Sequence, residues 1–331
     1  MPEGVCLHQR GGRSCASLHP RHLCILHIGR PAKRRFGKEI IMQLRALGPG
    51  APAVSAIGYG AMPLSLQSRP HEAVAVRVVH AVLDAGVTLI DTADVYCLDH
   101  TDIGHNERLI AKALKSWSGA RETVIVATKG GLVRPKGRWE SDARPSHLKR
   151  ACEQSLRDLA VDCIDLYQLH APDPRVPFVD SIGALLELQE AGKIRWIGLS
   201  NVSVGEIRQA ESLLAVTSVQ NRLNPFFREA LTDGVVAYCQ RRGIGFIAYS
   251  PLGGWQYHKA LSKHRVLNTV AKQHGCSPQA VALAWLLAQA PNVIPIPAAR
   301  SVEHALDSLR AIDLILAPEH IEAISAARFY G

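Results

Sequence analysis

The strongest constraint on this chain is an alternation. From Ala56 onward, short apolar runs are separated by longer stretches with helical periodicity. The runs lie at Ala56–Gly60, Thr88–Asp91, Val124–Thr128, Ile164–Leu169, Ile194–Leu199, Ser218–Gln220, Gly245–Ala248 and Val293–Pro295. The helical patterns fall near 71–85, 105–117, 146–159, 179–191, 203–214, 229–242, 278–289 and 301–311. Strands joined by helices are parallel, and eight such units in a row predict an α/β fold, a closed (β/α)8 TIM barrel. Ahead of it, Leu44–Leu47, a Gly-Pro-Gly turn and Val54–Ile57 predict an N-terminal β-hairpin. Local punctuation agrees. Ser203 with Glu206 reads as a capping box, Ser277-Pro278 as a cap followed by a first-turn proline, and Gly192 as a helix stop.

Residues 42–331 are therefore expected to form the barrel. Residues 1–41 lack sustained periodicity and are expected to be a disordered extension or sequence upstream of a start at Met42. They hold eight of the 38 Lys/Arg and two of the 29 Asp/Glu, so most of the net charge of +9 sits there. The near-balanced remainder argues against nucleic acid as a partner. No run of 18 apolar residues predicts a membrane span. The eight cysteines form no CxxC pair, which points to a reducing, cytoplasmic setting. The histidines show no ligand spacing, so no metal is expected.

Chemistry is expected where the carboxyl ends of the strands meet at one mouth. The second strand ends at Asp91, the third at Lys129, the fourth at His170. The fifth ends in Ser200-Asn201, the sixth in Gln220-Asn221 and the seventh in Tyr249-Ser250. Burying Asp, Lys and His is costly unless they pair. Asp91 and Lys129 come from neighbouring strands, and Tyr96 follows in the loop. A phenol ordinarily titrates near ~10. An adjacent ammonium is expected to lower that value, making Tyr96 a general acid.

The string Asp91-Thr92-Ala93-Asp94-Val95-Tyr96 followed by Asn106-Glu107 resembles the signature of the aldo/keto reductase family. So do Ala127-Thr128-Lys129, Tyr167-Gln168-Leu169-His170, Gly198-Leu199-Ser200-Asn201, Tyr249-Ser250-Pro251-Leu252 and Ile294-Pro295-Ile296-Pro297. The resemblance is greatest to bacterial pyridoxal reductases and general members of the family. It implies reduction of a small carbonyl substrate, pyridoxal included, by NADPH, with NADH possible, in a monomer or homo-oligomer. It implies Tyr96 as proton donor, tuned by Lys129 and His170, with Asp91 supporting Lys129. Ser200, Asn201 and Gln220 match positions that hold the nicotinamide carboxamide, and Tyr249 the position that stacks on its ring. Ser250 and Leu252 match the pyrophosphate loop. Ala298 and Arg300 match the adenosine-phosphate site, and Asp307 stands at a position near the adenine. An alternative that the resemblance allows is an NADPH-binding regulatory subunit, like the potassium-channel β subunits.

Four departures from the family pattern carry expectations. Cys97 replaces a glycine after the tyrosine, in a loop to Ile103 that faces the substrate. Ala298 replaces a glycine, which would cost about 1 kcal/mol if that position had positive φ. Asp307-Ser308 replaces Glu-Asn beside the adenine. The insertion after the seventh strand is short, Gly253 to Leu261.

Overall fold

The computed structural model describes residues 42–329. The expectation for residues 1–41 lies outside the described residues. The chain first forms an antiparallel hairpin, Leu44–Ala46 with Ala53–Ser55. Eight parallel strands follow: β1 (Tyr59–Gly60), β2 (Leu89–Asp91), β3 (Ile125–Gly130), β4 (Ile164–Leu169), β5 (Ile194–Ser200), β6 (Ser218–Arg222), β7 (Gly245–Tyr249) and β8 (Val293–Pro295). They pair in sequence order in one sheet. Two hydrogen bonds join its ends: Gly58 N–H donates to Pro295 O at 3.0 Å, and Gly60 N–H to Pro297 O at 3.0 Å. With eight strands and that closure, the expected barrel is the observed one.

The hairpin fills the amino-terminal end of the barrel. Leu47 and Val54 pack with Leu89, Ala127, Leu166, Ile247 and Ile294, a cluster separate from the larger core between sheet and helices. Backbone contact fixes the plug. Gly245 N–H donates to Leu47 O at 3.1 Å. Trp196 Nε1 donates to Gly50 O at 3.0 Å. Arg45 reaches under the barrel and donates to Leu287, Ala290 and Val293 carbonyls at 2.7, 2.8 and 2.5 Å. It thereby supplies a cation at the end of helix Pro278–Leu287, where carbonyls lack partners. Gly48 has φ +142°, and a Cβ there would lie 1.7 Å from Thr217 O.

The capping box at Ser203 forms as expected. Glu206 accepts from Ser203 N at 2.7 Å, and Ser203 Oγ accepts from Glu206 N at 3.3 Å. Ser277 likewise caps helix Pro278–Leu287. Other expectations need correction. The helix expected over 229–242 is two helices, Glu229–Thr232 and Val235–Arg242, divided at Asp233-Gly234. The short stretch after β7, Gly253 to Leu261, holds one helix, Gly254–Leu261, and a further helix that the periodicity did not show, Arg265–His274, follows it. The loop after β3 carries a hairpin, Leu132–Val133 with Glu140–Ser141. A last helix, Pro318–Ala326, closes the described chain. Among the described residues, no helix is long and apolar enough to cross a membrane.

Candidate active site

Side chains of a strand alternate in direction, so a residue two positions beyond an interior apolar residue also points inward. Leu89 leads to Asp91, Ala127 to Lys129, and Leu166 to Gln168. The first member of each pair belongs to the apolar plug layer. The second lies one layer nearer the mouth, and all three of those residues are buried. The polar layer is therefore built by the pleat on top of an apolar one. Gly198 makes room in it, since a Cβ there would lie 2.7 Å from Gln168 Cγ and 2.8 Å from Ser218 Oγ.

At the centre of this layer is the ammonium of Lys129, which is fully buried. It donates to Asp91 Oδ1 and Oδ2, both at 2.7 Å, to Thr92 O at 2.9 Å and to Tyr96 OH at 3.0 Å. Tyr96 reaches it from the loop after β2, where Ala93, Val95, Met62, Ile103 and Leu132 pack around the ring. His170 stands edge-on to Tyr96, ring centroids 5.8 Å apart at 81°. Its backbone N–H donates to Gly130 O at 2.9 Å. Its Nδ1 is buried with no hydrogen-bond partner among the described residues. The structure thus brings Asp91, Tyr96, Lys129 and His170 together.

Burial sets the electrostatics. It pushes the Lys129 ammonium down, against the opposing pull of Asp91. It pushes His170 well below the usual imidazole value, and Lys129 adds to this, so His170 is neutral. The phenol departs from the sequence expectation. Burial first, then the Asp91 carboxylate, push Tyr96 well above the ordinary tyrosine value. The reason is geometric: the charge of Lys129 is neutralised by a carboxylate bound through both oxygens, and the phenol sits in the dry remainder.

Around the mouth, Asn201 has φ +59°. Its Nδ2 donates to His170 O at 2.9 Å and Ser200 Oγ at 3.1 Å, and its Oδ1 accepts from Tyr249 OH at 2.8 Å. Gln220 Nε2 donates to Asp91 Oδ1 at 2.7 Å and lies 3.4 Å from Gln168 Oε1. Gln168 is a buried polar member of the layer that sequence reasoning missed as a site residue, although period-2 counting from Leu166 marks it. In the loop after β7, Ser250, Gly253 and Gly254 all have positive φ, at 48°, 85° and 63°. Leu252 packs on the main core. A turn of this kind can direct backbone N–H groups into an anion-binding concavity, with the Gly253 N–H spent on closing it onto Ser250 O at 3.0 Å.

Arg300 is exposed yet held, donating to Pro63 O at 3.3 Å and Gln67 O at 3.1 Å. It directly precedes Ser301, the cap of helix Val302–Leu309. Ala298 is not among the positive-φ residues, so the expected cost of replacing glycine does not arise. Asp307 does not stand free beside this loop; its Oδ2 accepts from Ser277 Oγ at 2.5 Å. The Cys97 thiol is buried and pushed up to about 12 by that burial.

Trp139 lies between the two short strands of the hairpin after β3. The hairpin after β3 presents its ring edge-on to both Tyr96, at 6.3 Å, and His170, at 6.5 Å. Arg134 stacks on the ring at 3.9 Å. The signal for this wall was weak, because its strands are two residues long.

Set against known proteins, a family model described as "Aldo/keto reductase family" matches residues 56–328. Among solved structures, a thermostable aldo-keto reductase in complex with the inhibitor epalrestat is 32% identical, with TM-score 0.74, covering 86% of this chain and 99% of that one. A glycerol dehydrogenase from Gluconobacter oxydans is 27% identical, with TM-score 0.72 and coverage of 85% and 93%. An aldo/keto reductase from Klebsiella pneumoniae in complex with NADP and acetate is 27% identical, with TM-score 0.71 and coverage of 86% and 94%.

Proposed function

The chain belongs to the aldo/keto reductase family, and on that premise we propose that it reduces an aldehyde or ketone to the alcohol with NADPH, using Tyr96 as the proton donor. One observation carries the reading. A single buried ammonium, Lys129, donates at once to Asp91 and to the oxygen of Tyr96.

The residues present fit a nicotinamide dinucleotide. Ser200, Asn201 and Gln220 offer amide and hydroxyl groups beside the mouth, and Tyr249 offers a ring there. The positive-φ turn at Ser250–Gly254 offers N–H groups for the pyrophosphate. Arg300, ahead of a helix N-terminus, suits a 2′-phosphate and favours NADPH over NADH. Relatives solved with NADP and with NADPH support the same choice. When bound, the cofactor supplies hydride to the carbonyl carbon.

The chain's own groups supply the proton and the field. Because Lys129 donates into the Tyr96 oxygen, the phenol's own hydrogen is free to point at a substrate oxygen. A phenol raised by burial stays protonated at neutral pH, and an alkoxide is more basic still, so transfer runs toward the product. The phenolate left behind is stabilised by Lys129. Neutral His170 donates to the same carbonyl oxygen and orients it. Asp91 keeps Lys129 charged and in place.

Tyr96→Phe keeps the ring and removes the proton. Turnover should fall by about 100-fold or more, while NADPH binding, read by fluorescence titration, should change little. Wild-type turnover in this variant would refute the assignment. A carbonyl panel including pyridoxal, run with NADPH and NADH in parallel, identifies the substrate. Cofactor binding without oxidation across the whole panel would favour the regulatory-subunit alternative.

A further inference from the structure

An ammonium has three hydrogens, and that of Lys129 serves three groups: the Asp91 carboxylate, Thr92 O and Tyr96 OH. Asp91 carries the charge and attracts the ammonium most. The neutral carbonyl of Thr92, at 2.9 Å, has a different effect. It takes one hydrogen in a fixed direction and so sets how the ammonium is turned about its own axis. With that rotation set, another hydrogen points at the phenol. Whatever holds the Thr92 carbonyl therefore acts on Tyr96.

Thr92 follows β2 directly and is fully buried. Its N–H donates to Ala127 O at 2.8 Å. Its hydroxyl donates to Asn106 Oδ1 at 2.6 Å. Asn106 is the second residue of helix His105–Ser116 and is also fully buried. Its Nδ2 donates to Ala61 O at 2.9 Å and to Ser65 Oγ at 2.7 Å. A carbonyl such as Ala61 O can only accept, so it fixes which end of the amide is nitrogen and leaves the oxygen for Thr92. Ala61 N–H in turn donates to Asp91 O at 2.8 Å, and His105 Nδ1 lies 2.8 Å from Ser65 Oγ. Asn106 thus joins the segment after β1, the turn at Ser65 and the end of β2, using both polar atoms of its side chain. A buried amide is costly unless its groups are met, and here they are met by the segments that frame Lys129.

We propose that Asn106 is a positioning residue for the proton transfer. Through the Thr92 hydroxyl it holds the Thr92 carbonyl, and through that carbonyl it keeps the Lys129 ammonium turned to Tyr96. This role rests on Tyr96 being the proton donor. Without the anchor, the ammonium turns toward the carboxylate, and the phenolate formed on proton transfer loses part of its stabilisation.

The test is single-turnover oxidation of NADPH by benzaldehyde, expressed per cofactor-binding site so that loss of folded protein does not count. Thr92→Val keeps the shape of the side chain and removes the hydroxyl. Its per-site rate should fall about tenfold, with NADPH affinity, read by fluorescence titration, within about twofold of wild type. Thr92→Ser returns the hydroxyl and should recover most of that loss. Asn106→Leu should show the same fall as Thr92→Val. The double variant should be no slower than Asn106→Leu alone, because one bond joins the pair. A purely structural staple would lower the denaturation midpoint and leave the per-site rates at the wild-type value; that outcome overturns the proposal. So does a Thr92→Ser rate as low as that of Thr92→Val. If Asn106→Leu binds no NADPH, the two Thr92 variants decide. Tyr96→Phe is run alongside. If it keeps the wild-type rate, or if wild type oxidises no NADPH, the proton-donor assignment fails and the role of Asn106 with it. If Tyr96→Phe is slow while Thr92→Val is not, only the role of Asn106 fails.

Discussion

Lys129 shows how much one residue can be asked to do when it is buried. Its ammonium satisfies both oxygens of Asp91, a backbone carbonyl and a phenol. Asp91 Oδ1 also accepts from Gln220 Nε2, but Oδ2 would otherwise be an unmet polar atom in a dry interior. A second buried ionisable group lies outside this set. Burial raises Glu107 to about 7, while Thr128 Oγ1 donates to its Oε1 at 2.6 Å and opposes the shift. A carboxyl raised in the folded state contributes stability at low pH that is lost as pH rises through the folded value. Between about pH 4.5 and 7.5, wild type should therefore lose on the order of 3 kcal/mol relative to Glu107→Gln, which retains the acceptor for Thr128. Urea unfolding of both proteins across that range checks this; parallel stability curves would show that Glu107 ionises normally. At this scale the sequence was legible for the three polar residues at strand ends, Asp91, Lys129 and His170, because apolar runs announce where a strand stops. It was not legible for the direction of the Tyr96 shift. That depends on how completely Asp91 neutralises Lys129, a matter of ångströms.

At the scale of elements, seven of the eight helical patterns and all eight strands reappear close to their expected positions. Apolar periodicity is their shared cause. The misses have separate physical reasons. Helix Arg265–His274 buries Leu267, Val270 and Ala271 on one face, an i, i+3, i+4 stripe only three residues deep. Asp233 accepts from Val235 N at 3.1 Å and so ends one helix and starts another inside what reads as a single amphipathic pattern. The Leu132–Ser141 hairpin is too short to show alternation, yet it carries Trp139 to the mouth. If that ring walls the substrate pocket, Trp139→Ala should raise KM for an aromatic aldehyde by about tenfold, consistent with the loss of an aromatic contact. The rate at saturation should change less than about threefold if the proton-transfer groups are undisturbed. Steady-state kinetics separates the two; a fall in kcat with KM unmoved would place Trp139 in support of Tyr96 instead.

The whole molecule is a closed ring of strands with different ends. One end is stoppered by the hairpin, through Leu47, Val54, Arg45 and Gly48. The other end carries the polar layer. Gly48 is the tightest point of the stopper, with no room for a methyl group beside Thr217 O. Gly48→Ala should destabilise the chain by about 2–4 kcal/mol, through left-handed strain and a backbone clash together. Chemical denaturation measures the loss, and an unchanged midpoint would mean that the hairpin can shift without penalty.

That stopper has a consequence for how such a chain can change over generations. Rigidity is anchored at the face where no reagent arrives, so the opposite rim can be rewritten, loop by loop, without unmaking the scaffold beneath it. The Leu132–Ser141 hairpin, which brings Trp139 beside Tyr96 and His170, stands at that rim. New tastes in substrate can be tried at the rim while the floor stays shut.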